Sequence, residues 1–468
     1  MEPGAEKLCK KIKTMRLQGR FSDALKCLKE AERLYPDSVM LINEGYHLFS
    51  MKGDWNQAMT YAAQLSRLEP EKGGHFIKKG RSCVYLNKHK EAKEWFALGI
   101  QSLTGKSLKE LEAEVEKRII KSLALDSEIA VESTYLISGG KNNLGFFHHR
   151  IKGEPKEYLT KILEKRKKRE AYFYQEVLKK LPELKDYCPS LVFSDPIGGI
   201  RVLTLEKVTF QEITKKEEDQ QIRQFFLQTG RVEYSEELQD FLKVPNSVMR
   251  LGEGRSQGLV KYFESIHQKE TNEQLFQQIR EKISRKRYPI SVKVLFWVWE
   301  KMVIRSGIYK NIIPEKDFAF IHGDLGPHNL LYESNSNRVK VIDWNSYRMG
   351  PKTYDIANFT IKSSRALPDM EENLSSMDEF LLYYAMSIIA FMGSGKKKFL
   401  NQYLPEAYTW IKKGKNSGQR IMQEQKRPRT PWTCSLLYGL LIGIIKVLIG
   451  LEGLKGALLW IKRKNPFN

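Results

Sequence analysis

Along the first 125 residues the apolar and small positions return at a fixed interval. Phe21, Trp55 and His89 are each 34 residues apart, and so are Ala24, Ala58 and Ala92. Leu28, Ala62 and Phe96 keep the same phase, and Leu34 and Leu68 match in the first two units. In the third unit Ser102 takes that position and Leu103 lies one residue on. After residue 130 the pattern shortens to strand length. Runs at 133–138 and 144–151 flank Gly139, Gly140 and Asn143, and further strands are expected at 156–163, 188–193 and 199–205, with a helix over 165–181. Residues 209–320 read as mostly helical, with polar insertions around 214–221 and 233–242. Two short apolar runs, 318–321 and 339–342, surround a polar turn at 333–338, and two strands joined by such a turn would bring their carboxylates together.

A helix-turn-helix unit of 34 residues with small residues at helix contacts resembles the tetratricopeptide repeat. Pro36 and Pro70 end the second helix of the first two units, and the third has no such proline. The resemblance implies a short all-α solenoid over residues 1–125, capped by a helix at 107–122. Its concave face would take a peptide or protein partner, or its helices would merely buttress the catalytic domain.

Asp324, Asn329 and Asp343 carry the chemistry. Their order and spacing suit placing Mg·ATP against a hydroxyl, which needs a base, oxygen ligands for Mg²⁺ and positioned phosphates. His322-Gly-Asp-Leu-Gly-Pro-His-Asn329 followed by Val341-Ile-Asp343 resembles the aminoglycoside phosphotransferase/choline kinase superfamily of protein-kinase-like small-molecule kinases. The resemblance implies an α+β, two-lobed fold, with an N-lobe at 126–208 and a C-lobe with the acceptor site at 209–430. It implies Asp324 as catalytic base, His322 as the buttress of its loop, Asn329 and Asp343 as Mg²⁺ ligands, and Asp355 as a brace. Gly139, Gly140 and Asn143 would cover the phosphates. Lys161 sits where a phosphate-contacting lysine is expected, with Lys156 as competitor; Glu170 would pair with it, with Glu176 as alternative. Glu206 to Val208 looks like the hinge whose backbone bonds adenine.

The formal net charge of +22 fits an anionic surface or a phosphorylated substrate. No nucleic-acid module is recognisable, which sets nucleic acid aside as a partner. Five scattered cysteines without C-x-x-C spacing point to a reducing compartment and no zinc site. The N-terminus has no apolar signal core. Residues 435–451 are apolar but for Lys446, and 431–468 read as a membrane-associating helical tail. Residues 411–430 hold seven basic residues against Glu424, and Trp432 and Trp460 flank the run. A span, an interfacial helix and a helix closing the C-lobe all remain open. The expected molecule is a cytoplasmic, ATP- and Mg²⁺-dependent kinase at the inner face of a membrane. Its acceptor would be a small-molecule or glycolipid hydroxyl, on a sugar or lipid-linked glycan precursor. The rivals are a choline/ethanolamine-type kinase and a pseudokinase scaffold.

Overall fold

The computed structural model of the 468-residue chain describes residues 3–17, 20–137, 143–209, 213–243, 257–333, 338–365, 374–424 and Val447. It divides into two compact units. The first takes in Met1–Ile213, Lys243–Glu253 and Leu330–Asn345; the second takes in Thr214–Leu242, Gly254–Asn329 and Ser346–Asn468.

The first unit begins with seven helices, α1 (Pro3–Leu17), α2 (Phe21–Leu34), α3 (Val39–Lys52), α4 (Trp55–Leu68), α5 (Gly73–Tyr85), α6 (His89–Thr104) and α7 (Leu108–Ser122). The repeated Phe21, Trp55 and His89 open α2, α4 and α6. Ala24, Ala58 and Ala92 are fully buried, where a larger side chain would push paired helices apart. Leu34 and Leu68 are exposed, so their repetition does not come from packing. Helices α1–α4 close a core of their own around Ile12, Leu28, Leu41 and Leu65.

Five antiparallel strands come next: β1 (Val131–Leu136), β2 (Asn143–Ile151), β3 (Glu157–Glu164), β4 (Leu191–Ile197) and β5 (Ile200–Glu206), in the order β1-β2-β3-β5-β4. Helices α5–α7 cover one face of this sheet. Ile77, Phe96, Leu111 and Ile119 form one continuous core with Phe147, Ile162, Ile200 and Val202. The β4–β5 turn also docks on the end of α6, where Gly199 N donates to Leu103 O at 2.7 Å.

The structure departs from three sequence expectations. The helix expected over 165–181 starts later, as α8 (Arg169–Tyr172), and passes through a π turn at Phe173–Val177. The cause is tertiary. Glu164 at the end of β3 gathers Arg81, Arg166 and Lys167, and Lys167 N donates to its carbonyl at 2.8 Å, closing a turn instead of a helix. The strand expected at 188–193 starts at Leu191, because Pro189 has no N–H for the ladder. The polar turn joins β7 (Leu330–Glu333) to β8 (Arg338–Val341), not to residues 318–321. β6 (Phe318–Ile321) belongs to the second unit and pairs with β9 (Arg348–Pro351).

The rest of the second unit is helical. The polar stretch after Thr214 is the start of the helix Lys215–Gly230, fixed by a capping box between Thr214 and Glu217. The helix Ser376–Gly393 is buried without a break from Phe380 to Phe391 and forms the centre of this unit's core. In the helix Leu404–Glu424, Lys415 is buried and so withdrawn from any headgroup, while Arg420 is exposed and pairs with Glu379. The expected apolar tail lies outside the described residues except for Val447. Among the described residues no helix is long and apolar enough to cross a membrane.

Candidate functional site

Strand β3 alternates, so Tyr158 and Ile162 enter the core shared with α5–α7 and Lys161 lies on the opposite face. There Lys161 Nζ meets Glu170 Oε1 at 2.6 Å, with Glu170 almost fully buried. Burial alone would push the Lys161 ammonium down, but the facing carboxylates of Glu170 and Asp343 hold it above the usual lysine range. Lys156 is instead exposed and paired with Glu206 at 2.9 Å, and Glu176 pairs with Lys179 on the surface. Both open alternatives are thereby placed elsewhere.

Asp343 lies two residues beyond the end of β8 and belongs to the same network. Its φ of 64° lies in the left-handed region, which costs a non-glycine residue of order 1 kcal/mol and persists where surroundings enforce it. Asn345 does so: its N donates to Asp343 O at 2.7 Å, and its Nδ2 donates to Asp343 Oδ1 at 2.5 Å and to Glu170 Oε2 at 3.3 Å. Asn143 is buried at the start of β2, Glu206 N donates to Ser190 O, and Val208 is buried. Gly139 and Gly140 lie outside the described residues.

In the second unit the loop 322–329 hangs from one carboxylate. Asp355, buried at the start of the helix Tyr354–Ser363, accepts from His322 N at 2.5 Å and Gly323 N at 2.9 Å. Burial pushes the Asp355 carboxyl up to about 7, against the pull of both N–H groups and Lys362. His322 is fully buried and its Nδ1 accepts from Asp324 N at 3.3 Å. Asn329 Nδ2 donates to Asp324 O at 3.1 Å, so the amide oxygen is the end a cation would take. Lys362 Nζ meets Asp324 Oδ1 at 2.5 Å and Asp324 O at 2.9 Å.

Sequence reasoning missed Asn345 and Lys362. The signal for Lys362 was its spacing: it lies seven residues after Asp355, two turns along one helix face. Asn345 gave no signal beyond lying two residues after Asp343.

The model of the phosphotransferase enzyme family matches residues 136–374, more than half of the chain. The protein belongs to this family. As a phosphotransferase-family member it is an ATP-dependent kinase that phosphorylates a hydroxyl of a small molecule. A choline kinase from Streptococcus pneumoniae is 17% identical, over 72% of this chain and 99% of that one, with a TM-score of 0.31. An ethanolamine kinase from Plasmodium vivax is 13% identical over 77% and 93%, with a TM-score of 0.36. A choline/ethanolamine kinase family protein from Mesorhizobium loti is 11% identical over 66% and 99%, with a TM-score of 0.38. Likenesses this remote carry no substrate or mechanism over to this chain.

Proposed function

We propose that this member of the phosphotransferase family is a Mg²⁺- and ATP-dependent kinase with Asp324 as its catalytic base and a sugar or lipid-linked glycan precursor as its acceptor. The observation that carries the reading is the loop 322–329, pinned by Asp355 so that the Asp324 carboxylate is held in one place. In the step, the acceptor oxygen bonds the γ-phosphorus of ATP as its proton passes to Asp324. The bond to the β–γ bridging oxygen breaks, and ADP leaves. Lys161, kept charged by Glu170, lies on the donor's phosphate oxygens. Gly139, Gly140 and Asn143 cover those phosphates, and the backbone from Glu206 to Val208 meets the adenine edge.

Asn329 and Asp343 are assigned to Mg²⁺, which when bound offsets the phosphate charge. The donor set fits that ion. An amide oxygen and a carboxylate are both hard oxygen donors, and Mg²⁺ characteristically takes one or two protein oxygens and completes its shell with phosphates and water.

The proposal extends to the ends of the chain. The 34-residue period supports a tetratricopeptide-type solenoid with a face for a protein partner. The apolar tail with its flanking tryptophans supports anchorage at the cytoplasmic face of a membrane. Flotation with anionic liposomes tests the tail: the intact chain should rise and a chain lacking residues 433–468 should not, while an intact chain left at the bottom removes the anchor.

The test of the central reading is ATP consumption against sugars, aminoglycosides, choline and lipid extracts. With the acceptor so found, Asp324→Asn should lower turnover by ~10²–10⁴-fold and leave ATP binding intact. Asp343→Ala should instead weaken Mg²⁺-dependent nucleotide binding. Turnover of Asp324→Asn within about tenfold of wild type removes the base assignment. Nucleotide binding with no turnover on any acceptor favours a scaffold.

A further inference from the structure

Beside the helix Tyr354–Ser363 lies a cavity of about 170 Å³ whose wall includes Tyr354, Asn358, Lys362, Lys398 and Tyr403. Lys362 connects it to the catalytic loop, because the same side chain lines the cavity and grips Asp324. Asn358 is fully buried, and neither its Nδ2 nor its Oδ1 has a hydrogen-bond partner. The hydroxyl of Tyr354, also fully buried, lacks one as well. Each such group loses its water on burial and gains nothing in return, and folded proteins rarely leave several together. An amide with a donor and an acceptor, next to a hydroxyl that can be either, suits adjacent alcohol groups.

The charge of the wall narrows the class further. Among the described residues two ammonium groups line the cavity, from Lys362 and Lys398, and no Asp or Glu does. Lys362 is matched by Asp324, and Lys398 lies 5.2 Å from the ring centroid of Tyr403. A quaternary ammonium or an aminoglycoside would meet repulsion here. An anion would not.

We infer that this cavity is the acceptor subsite and that it takes a small anionic polyol, such as a sugar phosphate or sugar acid. Asn358 and Tyr354 hold its hydroxyls and Lys398 holds its anionic group. The acceptor role rests on the assignment of Asp324 as base; the binding site itself does not.

Calorimetric titration of the full chain tests it with glucose 6-phosphate, glycerol 3-phosphate, glucuronate, glucose and choline as probes. At least one anionic probe should bind tenfold or more tightly than glucose, and choline should show no binding. Phosphates and glucuronate separate the two possible anions. Lys398→Gln should weaken the anionic probe at least tenfold and reduce its advantage over glucose. Asn358→Leu should weaken all the sugars yet melt no lower than wild type, because it replaces an unpaired buried amide by an apolar group. Unchanged anion affinity in Lys398→Gln, choline binding as tight as the anions, or no anion binding to wild type each overturns the inference. Anion binding that depends on Lys398, alongside full turnover by Asp324→Asn, keeps the site and removes only the base assignment.

Discussion

Gly323 and Gly326 lie three residues apart in one loop, yet a methyl group added to each would meet a different kind of neighbour. At Gly323, φ is +80° and the added carbon would collide with the backbone carbonyl of Ser346. At Gly326 it would come within 2.6 Å of Lys362 Cδ, the flexible part of a side chain that can swing aside. Gly323→Ala is therefore expected to cost about 1–3 kcal/mol of stability. Gly326→Ala should melt close to wild type but turn over more slowly, because Lys362 is pushed off Asp324. Thermal melts and steady-state rates on both variants check this, and equal melting of the two contradicts it. The loop glycines were visible in the sequence. Their neighbours were not, because Ser346 and Lys362 reach them only through the pairing of β6 with β9 and the placing of the helix Tyr354–Ser363.

Among the elements, the sheet carries a polar thread through its buried face. Ser133 Oγ meets Glu116 Oε1 at 2.5 Å and His149 Nδ1 at 2.7 Å; His149 Nε2 meets Thr160 Oγ1 at 2.8 Å, and Thr160 meets Thr204 at 2.8 Å. Burial pushes the His149 imidazole down to about 3, with His148 adding to it. As pH falls below about 6.5, the unfolded chain takes up a proton at this position that the folded chain refuses, so stability falls. The loss is at most about 1.4 kcal/mol per pH unit and continues down to the folded value. Asp355 works in the opposite sense: with its carboxyl raised to about 7, it contributes stability that is lost as pH rises from about 4 to 7. Denaturant titrations at pH 6.5 and 5 on wild type and His149→Gln separate the two, since only the His149 contribution disappears in the variant. Identical pH slopes would show that His149 is not held neutral. The alternation that sets Lys161 opposite Ile162 was legible as a period of two. The break at residues 165–168 was not, because it depends on Arg81 reaching Glu164 from α5.

In the first unit, the 34-residue period made the helix pairs readable, but it held no sign that α5–α7 would share a core with the sheet while α1–α4 close one of their own. The reason is that both kinds of contact use the same small and apolar positions. The two cores predict different results for two truncations. Removing residues 1–70 costs the Trp55–Tyr85 stack, with ring centroids 3.9 Å apart, but leaves the sheet covered. That chain should remain soluble and melt somewhat lower. Removing residues 1–125 uncovers Phe147, Ile162, Ile200 and Val202, and that chain should aggregate. Soluble yield and gel filtration read the difference; equal behaviour of both would mean the cover is dispensable. The shared core also sets a timetable during synthesis. Helices α1–α4 can close as soon as they leave the ribosome, but α5–α7 must wait for β5, roughly 80 residues later, or about 4–16 seconds at ~5–20 residues per second. Through that interval their apolar faces stand open, so slow translation between α7 and β5 should raise this protein's demand for chaperones.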